Sequence, residues 1–314
     1  MISNPDRTTL ISSSGWVEKD ALWCMDVASG ATDTLSLDSG ARWATLHSSG
    51  SDRFAVVHHF EGARFGVSVR TFSDPARILA QAIVSDEENT ITGDRSAWRG
   101  VPVLYVEYLK FPPWRDFVLL RVSPATGGID VQPLEWYDDT YDKNYQGVVG
   151  VLELPGQDFA LISVQRSSRL IVHDLATGKK AGETNLGGHV GNPRLQFRDS
   201  GNEIWASDYD TLVVVRTADL RVLRSARLQI ANVGARQFIG DYSFAPDQDL
   251  CVVARPFSGD VIGVDNATLR VVWCAKLGRQ PLEVAALHGG RVVARDWKTG
   301  DVLQGKLESA GAAG

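Results

Sequence analysis

"LVVVRTADLRVLRSARL", residues 212–228, is the stretch from which the fold can be read. Its first half is a run of valines, whose branched Cβ suits a pleated surface and disfavours a helix. The polar Thr-Ala-Asp-Leu that follows is short enough for a tight turn, and a second run leads away from it, so the segment reads as a β-hairpin. The same unit returns as "LWCMDVASGATDTLSL" (22–37), "FGVSVRTFSDPARILAQAIV" (65–84), "FVLLRVSPATGGIDVQPL" (117–134), "LIVHDLATGKKAGETNL" (170–186) and "VIGVDNATLRVVWCAKL" (261–277). Their turn residues Gly30, Asp74, Gly127, Gly178, Leu220 and Leu269 advance by 42 to 53 residues. A period of roughly 40–50 residues with about four strands per cycle is the spacing of propeller blades. No segment has sustained helical periodicity, so the expected fold is all-β. Over 314 residues the period predicts one domain, residues 1–314, folded as a seven-bladed β-propeller, with six blades as the alternative.

The ends of the chain bear on how such a ring closes. "VVARDWKTGDVLQGKL" (292–307) aligns with "VVARPFSGDVIGVD" (252–265). That alignment makes Asp296–Gly300 a loop between the second and third strands of the last blade. A fourth strand would then come from residues 8–14, so that the N- and C-terminal strands share a blade and no sheet edge stays open. In the competing register Asp296–Gly300 imitates "DLATG" (174–178) as an outer hairpin, and the last blade lacks an inner strand.

The segments 190–228 and 233–277 resemble the YVTN-type propeller repeat, which also occurs in the quinoprotein amine dehydrogenase-like family. Val190-Gly191-Asn192-Pro193 matches the start of that repeat, Ala245-Pro246-Asp247 its central turn, and Asp174-Leu175-Ala176-Thr177 its hairpin. The resemblance covers residues 145–307 and implies the fold. It implies no catalytic residue, because propellers host unrelated activities.

Composition narrows the function classes. The formal charge is −6, the wrong sign for a general nucleic-acid or anionic-membrane binder, and those partners are not expected. No apolar run reaches the roughly 20 residues of a membrane span and no signal sequence is evident, so the expected location is cytoplasmic. Cys24, Cys251 and Cys274 have no metal or haem spacing, which suits a reducing compartment. No GxSxG, Walker, HExxH or GxGxxG motif is present. His58 and His59 are neighbours on one strand and point to opposite faces, so they are not read as ligands of one metal ion.

In a propeller the crossovers between blades and the loops between second and third strands gather on one rim, and this chain's rim is chemically rich. Arg42, Arg194, Arg236 and Arg279 recur near the expected starts of first strands, each preceded by glycine. Such guanidinium groups suit a carboxylate or phosphate, or pair with acidic neighbours. Trp114, Arg115, Phe257, Arg255 and Trp297 add rings and charge from the second–third loops. His189, in a glycine-rich crossover, is the candidate general base if the protein is an enzyme. Within "EWYDDTYDKNYQG" (135–147), Trp136, Tyr137, Tyr141 and Tyr145 offer rings, and Asp138, Asp139 and Asp142 offer carboxylates to a cationic or amphipathic ligand. Residues 138–147 are also the only candidate for Ca²⁺, but they lack the spaced Glu of a calcium loop, and no cofactor is expected. The expected activity is binding of a small molecule, peptide or protein partner, zwitterionic or anionic, by a monomer. The alternative is a lyase, hydrolase or cyclase using the same funnel.

Overall fold

The computed structural model describes residues 2–3, 9–13, 21–36, 41–49, 52–61, 64–71, 77–85, 96–97, 103–110, 114–123, 128–137, 148–154, 157–164, 167, 169–186, 195–198, 201–208, 210–228 and 239–307. These residues form seven sheets, almost wholly antiparallel. The chain divides into two compact units, Ile2–Gln196 and Phe197–Gly314.

In the first unit, β1 (Ile2–Ser3), β2 (Thr9–Ser13), β3 (Ala21–Asp26) and β4 (Thr32–Ser36) form one four-stranded sheet, and β5 (Ala41–Ser49), β6 (Asp52–Glu61), β7 (Arg64–Thr71) and β8 (Ile78–Ser85) another. The short β9 (Ser96–Ala97) pairs in parallel with β13 (Val148–Glu153) of a later sheet. Between them in sequence, β10 (Val103–Lys110), β11 (Trp114–Ser123) and β12 (Gly128–Pro133) form a three-stranded sheet. The sheet of β13 continues through β14 (Phe159–Val164), β15 (Arg169–Asp174) and β16 (Lys180–Asn185). Its core joins Val151, Ala160, Ile162 and Ile171 to Leu119 of the three-stranded sheet and to Leu134 just past it.

A further four-stranded sheet holds β17 (Leu195–Phe197), β18 (Glu203–Asp208), β19 (Thr211–Arg216) and β20 (Val222–Arg227). The next holds β21 (Asp241–Phe244), β22 (Leu250–Arg255), β23 (Asp260–Asp265) and β24 (Val271–Ala275). The last has three strands among the described residues: β25 (Pro281–Ala286), β26 (Arg291–Asp296) and β27 (Val302–Lys306). The valine-rich middle strands β19, β22 and β23 are buried, whereas the last strands β20 and β24 are exposed. Continuous apolar runs are what a strand covered on both faces requires. A network crosses from one sheet to the next. Arg224 donates to both Glu203 oxygens at 2.9 Å and to the Asn266 carbonyl at 3.1 and 2.8 Å, while lying 5.8 Å over the Trp205 ring.

The hairpin turns share one chemistry. Oδ1 of Asp174 accepts the N–H groups of Ala176 and Thr177, Oδ1 of Asp265 that of Thr268, and Oδ1 of Asp296 those of Lys298 and Thr299. A left-handed residue closes each turn, which favours glycine, as at Gly178 (φ 74°) and Gly300 (φ 76°). Leu220 and Leu269 hold the same position at φ 56° and 57°, a conformation that costs a residue with a Cβ about 1–2 kcal/mol.

Local turn chemistry therefore makes Asp296–Gly300 look like an outer hairpin, but strand direction assigns it elsewhere. The Val284 N–H donates to Asp241 Oδ2 at 3.2 Å and the Ala286 N–H to Ser243 Oγ at 3.1 Å. These matched two-residue steps make β25 run beside β21 in the same direction, so both are first strands. Asp296–Gly300 thus joins the second and third strands of its sheet, as the alignment with 252–265 predicts. The expected donor of a fourth strand is different. Thr9–Ser13 does form a strand, but it pairs with β3 and β1 of its own sheet. A strand pairs most readily with the next one in sequence, since that closes a far shorter loop than joining the two chain ends.

Candidate functional site

Two turns and one crossover come together in the Phe197–Gly314 unit. Arg255 ends β22 and Asp260 starts β23, and the guanidinium meets the carboxylate in a two-point pair, Nε to Oδ1 and Nη2 to Oδ2, both 2.7 Å. Arg255 is only 7% exposed, and this pair closes the 256–259 turn. Phe257 at the tip of that turn is 50% exposed. Gly259, at φ 65°, lies against the crossover, and a Cβ there would come within 2.7 Å of the Arg279 carbonyl oxygen. Only glycine meets both demands.

The crossover is held from its other side by Asp296. Oδ2 accepts the N–H groups of Arg279 and Gln280 at 2.6 and 2.7 Å, Oδ1 those of Lys298 and Thr299 at 2.8 and 3.0 Å, and the Trp297 N–H donates to the Gln280 carbonyl at 3.0 Å. Burial opposes ionisation of this carboxyl, but the four N–H groups outweigh it and hold the group below the usual aspartate range. Asp296 thus sets the direction in which Arg279 and Trp297 leave the backbone. Arg279 is exposed and its guanidinium makes no ion pair with a described residue. Trp297 is 62% exposed, the most open of the large apolar side chains described.

Trp136 is placed differently. It lies in a 3₁₀ turn at Glu135–Tyr137, half-buried against the Leu119–Leu175 core. Its indole N–H donates to His173 Nδ1 at 2.9 Å, which leaves Nε2 to donate to Gln132 Oε1 at 2.9 Å, and Gln132 Nε2 in turn reaches the Leu175 carbonyl at 3.3 Å. Burial lowers the His173 pKa to about 4, with Asp174 pulling weakly the other way, so the ring is neutral at physiological pH. Trp136 is thus half-buried, with its indole N–H taken up by His173.

The structure brings Arg255, Arg279 and Trp297 together. Arg42 sits at a bulge at the start of β5, and Trp114 and Arg115 begin β11; their side chains, and that of Tyr137, lie outside the described residues. So do Asp138, Asp139, Tyr141, Asp142, Tyr145, His189, Arg194 and Arg236 entirely, and with them the candidate Ca²⁺ segment. His58 and His59 pair with the consecutive residues Val67 and Gly66 and stay on opposite faces of the sheet. Among the described residues no group of three His, Cys, Asp or Glu could hold a metal ion, and no helix is long and apolar enough to cross a membrane. Asp296 was missed as an anchor because its sequence signal is that of any Asp-x-x-Thr-Gly turn. The six-residue spacing of "RPFSGD" was the available signal for the Arg255–Asp260 pair.

No family model and no curated protein matches the chain. Solved structures do. The Cps50 (Swd1) β-propeller domain of Myceliophteria thermophila superposes with a TM-score of 0.70 at 12% identity, covering 98% of this chain and 96% of that one. U3-55K gives 0.65 at 11% identity over 98% and 94%, and a chain of the Mitotic Checkpoint Complex 0.64 at 8% over 98% and 86%. At such identities the likeness is one of fold. The chain has a β-propeller fold.

Proposed function

We propose that this chain is a seven-bladed propeller, each sheet one blade, acting as a cytoplasmic monomer that binds a protein partner. The repeats at 190–228 and 233–277 support a YVTN-like type. The observation that carries the binding reading is the end of the Phe197–Gly314 unit, where two turns are braced against one crossover while Trp297 stays largely exposed and Phe257 half exposed. Interfaces draw most of their energy from a few large rings that are already held in place before binding. One structural neighbour is part of a multi-protein assembly, the Mitotic Checkpoint Complex, which supports a partner that is itself a protein.

The test is a photo-cross-linking residue placed at 297 in the full chain, expressed in its own host, with the same residue at Val272 on exposed β24 as control. A discrete protein adduct is expected from 297 and none from 272. Adducts of equal yield from both positions, or only a small-molecule adduct at 297, would overturn the reading.

A further inference from the structure

We propose that the Trp297 end of the Phe197–Gly314 unit takes an acidic, extended segment of its partner that seats one apolar side chain on the tryptophan. The inference rests on the protein-binding reading above and specifies the partner's chemistry. Lys276, Arg279 and Lys298 are exposed around these turns, against the exposed carboxylate of Asp301. The other charges of the same turns are consumed internally. Arg255 is paired with Asp260, Arg295 lies 3.5 Å from Glu283, and Asp296 is taken up by four backbone N–H groups. A basic corner therefore stands on a chain whose formal charge is −6, and its field selects for a partner of opposite sign.

One cation is held directly and the other two are held at their backbones. Lys276 Nζ donates to the Ser258 carbonyl at 2.6 Å, next to Phe257, and Asp296 holds the Arg279 and Lys298 backbones beside Trp297. Exposed rings with cations on the same turns match an apolar anchor with carboxylates beside it. A nucleic-acid strand could also stack on rings. Three cations on an acidic chain release too few counterions to hold a phosphate backbone, which favours the peptide.

The experiment screens the full chain against an array of short peptides of varied charge, with an oligothymidine strand as the second probe. Acidic peptides carrying a Leu, Phe or Trp should be enriched, and Trp297→Ala should weaken them by about tenfold, the loss of one anchor ring. The double variant Arg279→Glu, Lys298→Glu should shift enrichment to basic peptides. Both variants alter exposed side chains, and an unchanged melting curve verifies that each is folded. Acidic peptides that bind the parent and both variants alike would overturn the acidic-segment proposal while leaving the protein-binding reading standing. Tighter binding of the oligothymidine strand than of any peptide would overturn it in favour of nucleic acid. If no peptide is enriched at all, the acidic-segment proposal fails, and the cross-link at 297 decides the protein-binding reading.

Discussion

Trp136 and Trp297 each follow an acidic residue just past the end of a strand, and the molecule uses them in opposite ways. Trp136 lies against a core and gives its N–H to a buried histidine. Trp297 gives only its backbone to the fold, through Gln280, and turns its ring to solvent. The difference comes from the neighbour that takes up the polar groups. His173, fully buried, needs a donor at Nδ1, and an indole N–H provides it, whereas Asp296 satisfies the backbone around Trp297 and leaves the side chain with nothing to do in the fold. An aromatic residue in a turn is thus a binding candidate only where another group has already met the local hydrogen-bonding demand.

The comparison can be broken most forcefully at Asp296. Asp296→Ala removes the charged acceptor of four backbone N–H groups, and unfolding in urea should show a loss of roughly 3 kcal/mol or more, since each hydrogen bond to a charged group contributes about 1.5–3 kcal/mol. If stability is unchanged, Asp296 does not brace the exposed tryptophan. Next comes pH. The unfolded chain protonates His173 near 6.5 but the folded one only at about 4, so stability should rise with pH across that window and level off on either side. On the order of 3 kcal/mol is at stake at 1.36 kcal/mol per unit. The lowered aspartates, Asp174 and Asp265 among them, act through a lower window: their contribution is present above the ordinary aspartate pKa and fades as pH falls through their own depressed values. A titration of stability that stays flat between pH 4 and 6.5 would remove His173 from the account.

Trp136→Phe sharpens the contrast at smaller amplitude. It keeps the ring and deletes the donor, and the orphaned Nδ1 should cost about 1–2 kcal/mol and raise the pKa of His173 seen by NMR, because a ring nitrogen without a donor takes a proton more readily. Trp297→Ala should change the melting behaviour least, within about 0.5 kcal/mol, as exposed positions do. Equal costs for the two tryptophan variants would erase the distinction between them.

The propeller was legible in the sequence because its signals are short-ranged. Valine runs and Asp-x-x-Thr-Gly turns say where a hairpin is, and their period gives the architecture. The end of the sheet to which a hairpin belongs was less legible, since Asp174–Gly178 and Asp296–Gly300 have the same turn chemistry and differ only in the direction of the strands beneath them. The alignment of 292–307 with 252–265 settled that correctly, but the donor of a fourth strand for the last sheet was misjudged, because the pairing of Thr9–Ser13 is a competition that no local pattern records. At the site, Arg279 and Trp297 were named for their position and lie exposed, while Arg255 and Trp136 were named for their chemistry, and their bonds to Asp260 and His173 were not legible. Composition shows that a group is capable of contact, not that it is free for it.

The bonds from β25 to Asp241 and Ser243 carry a consequence for motion. The Val284 and Ala286 amides are shielded by side chains of the adjacent sheet, so they cannot trade their protons for solvent deuterium unless that neighbour also gives way. The last two sheets are thus tied at these amides, and a lesion in β21 should show as faster exchange in a strand forty residues downstream along the chain.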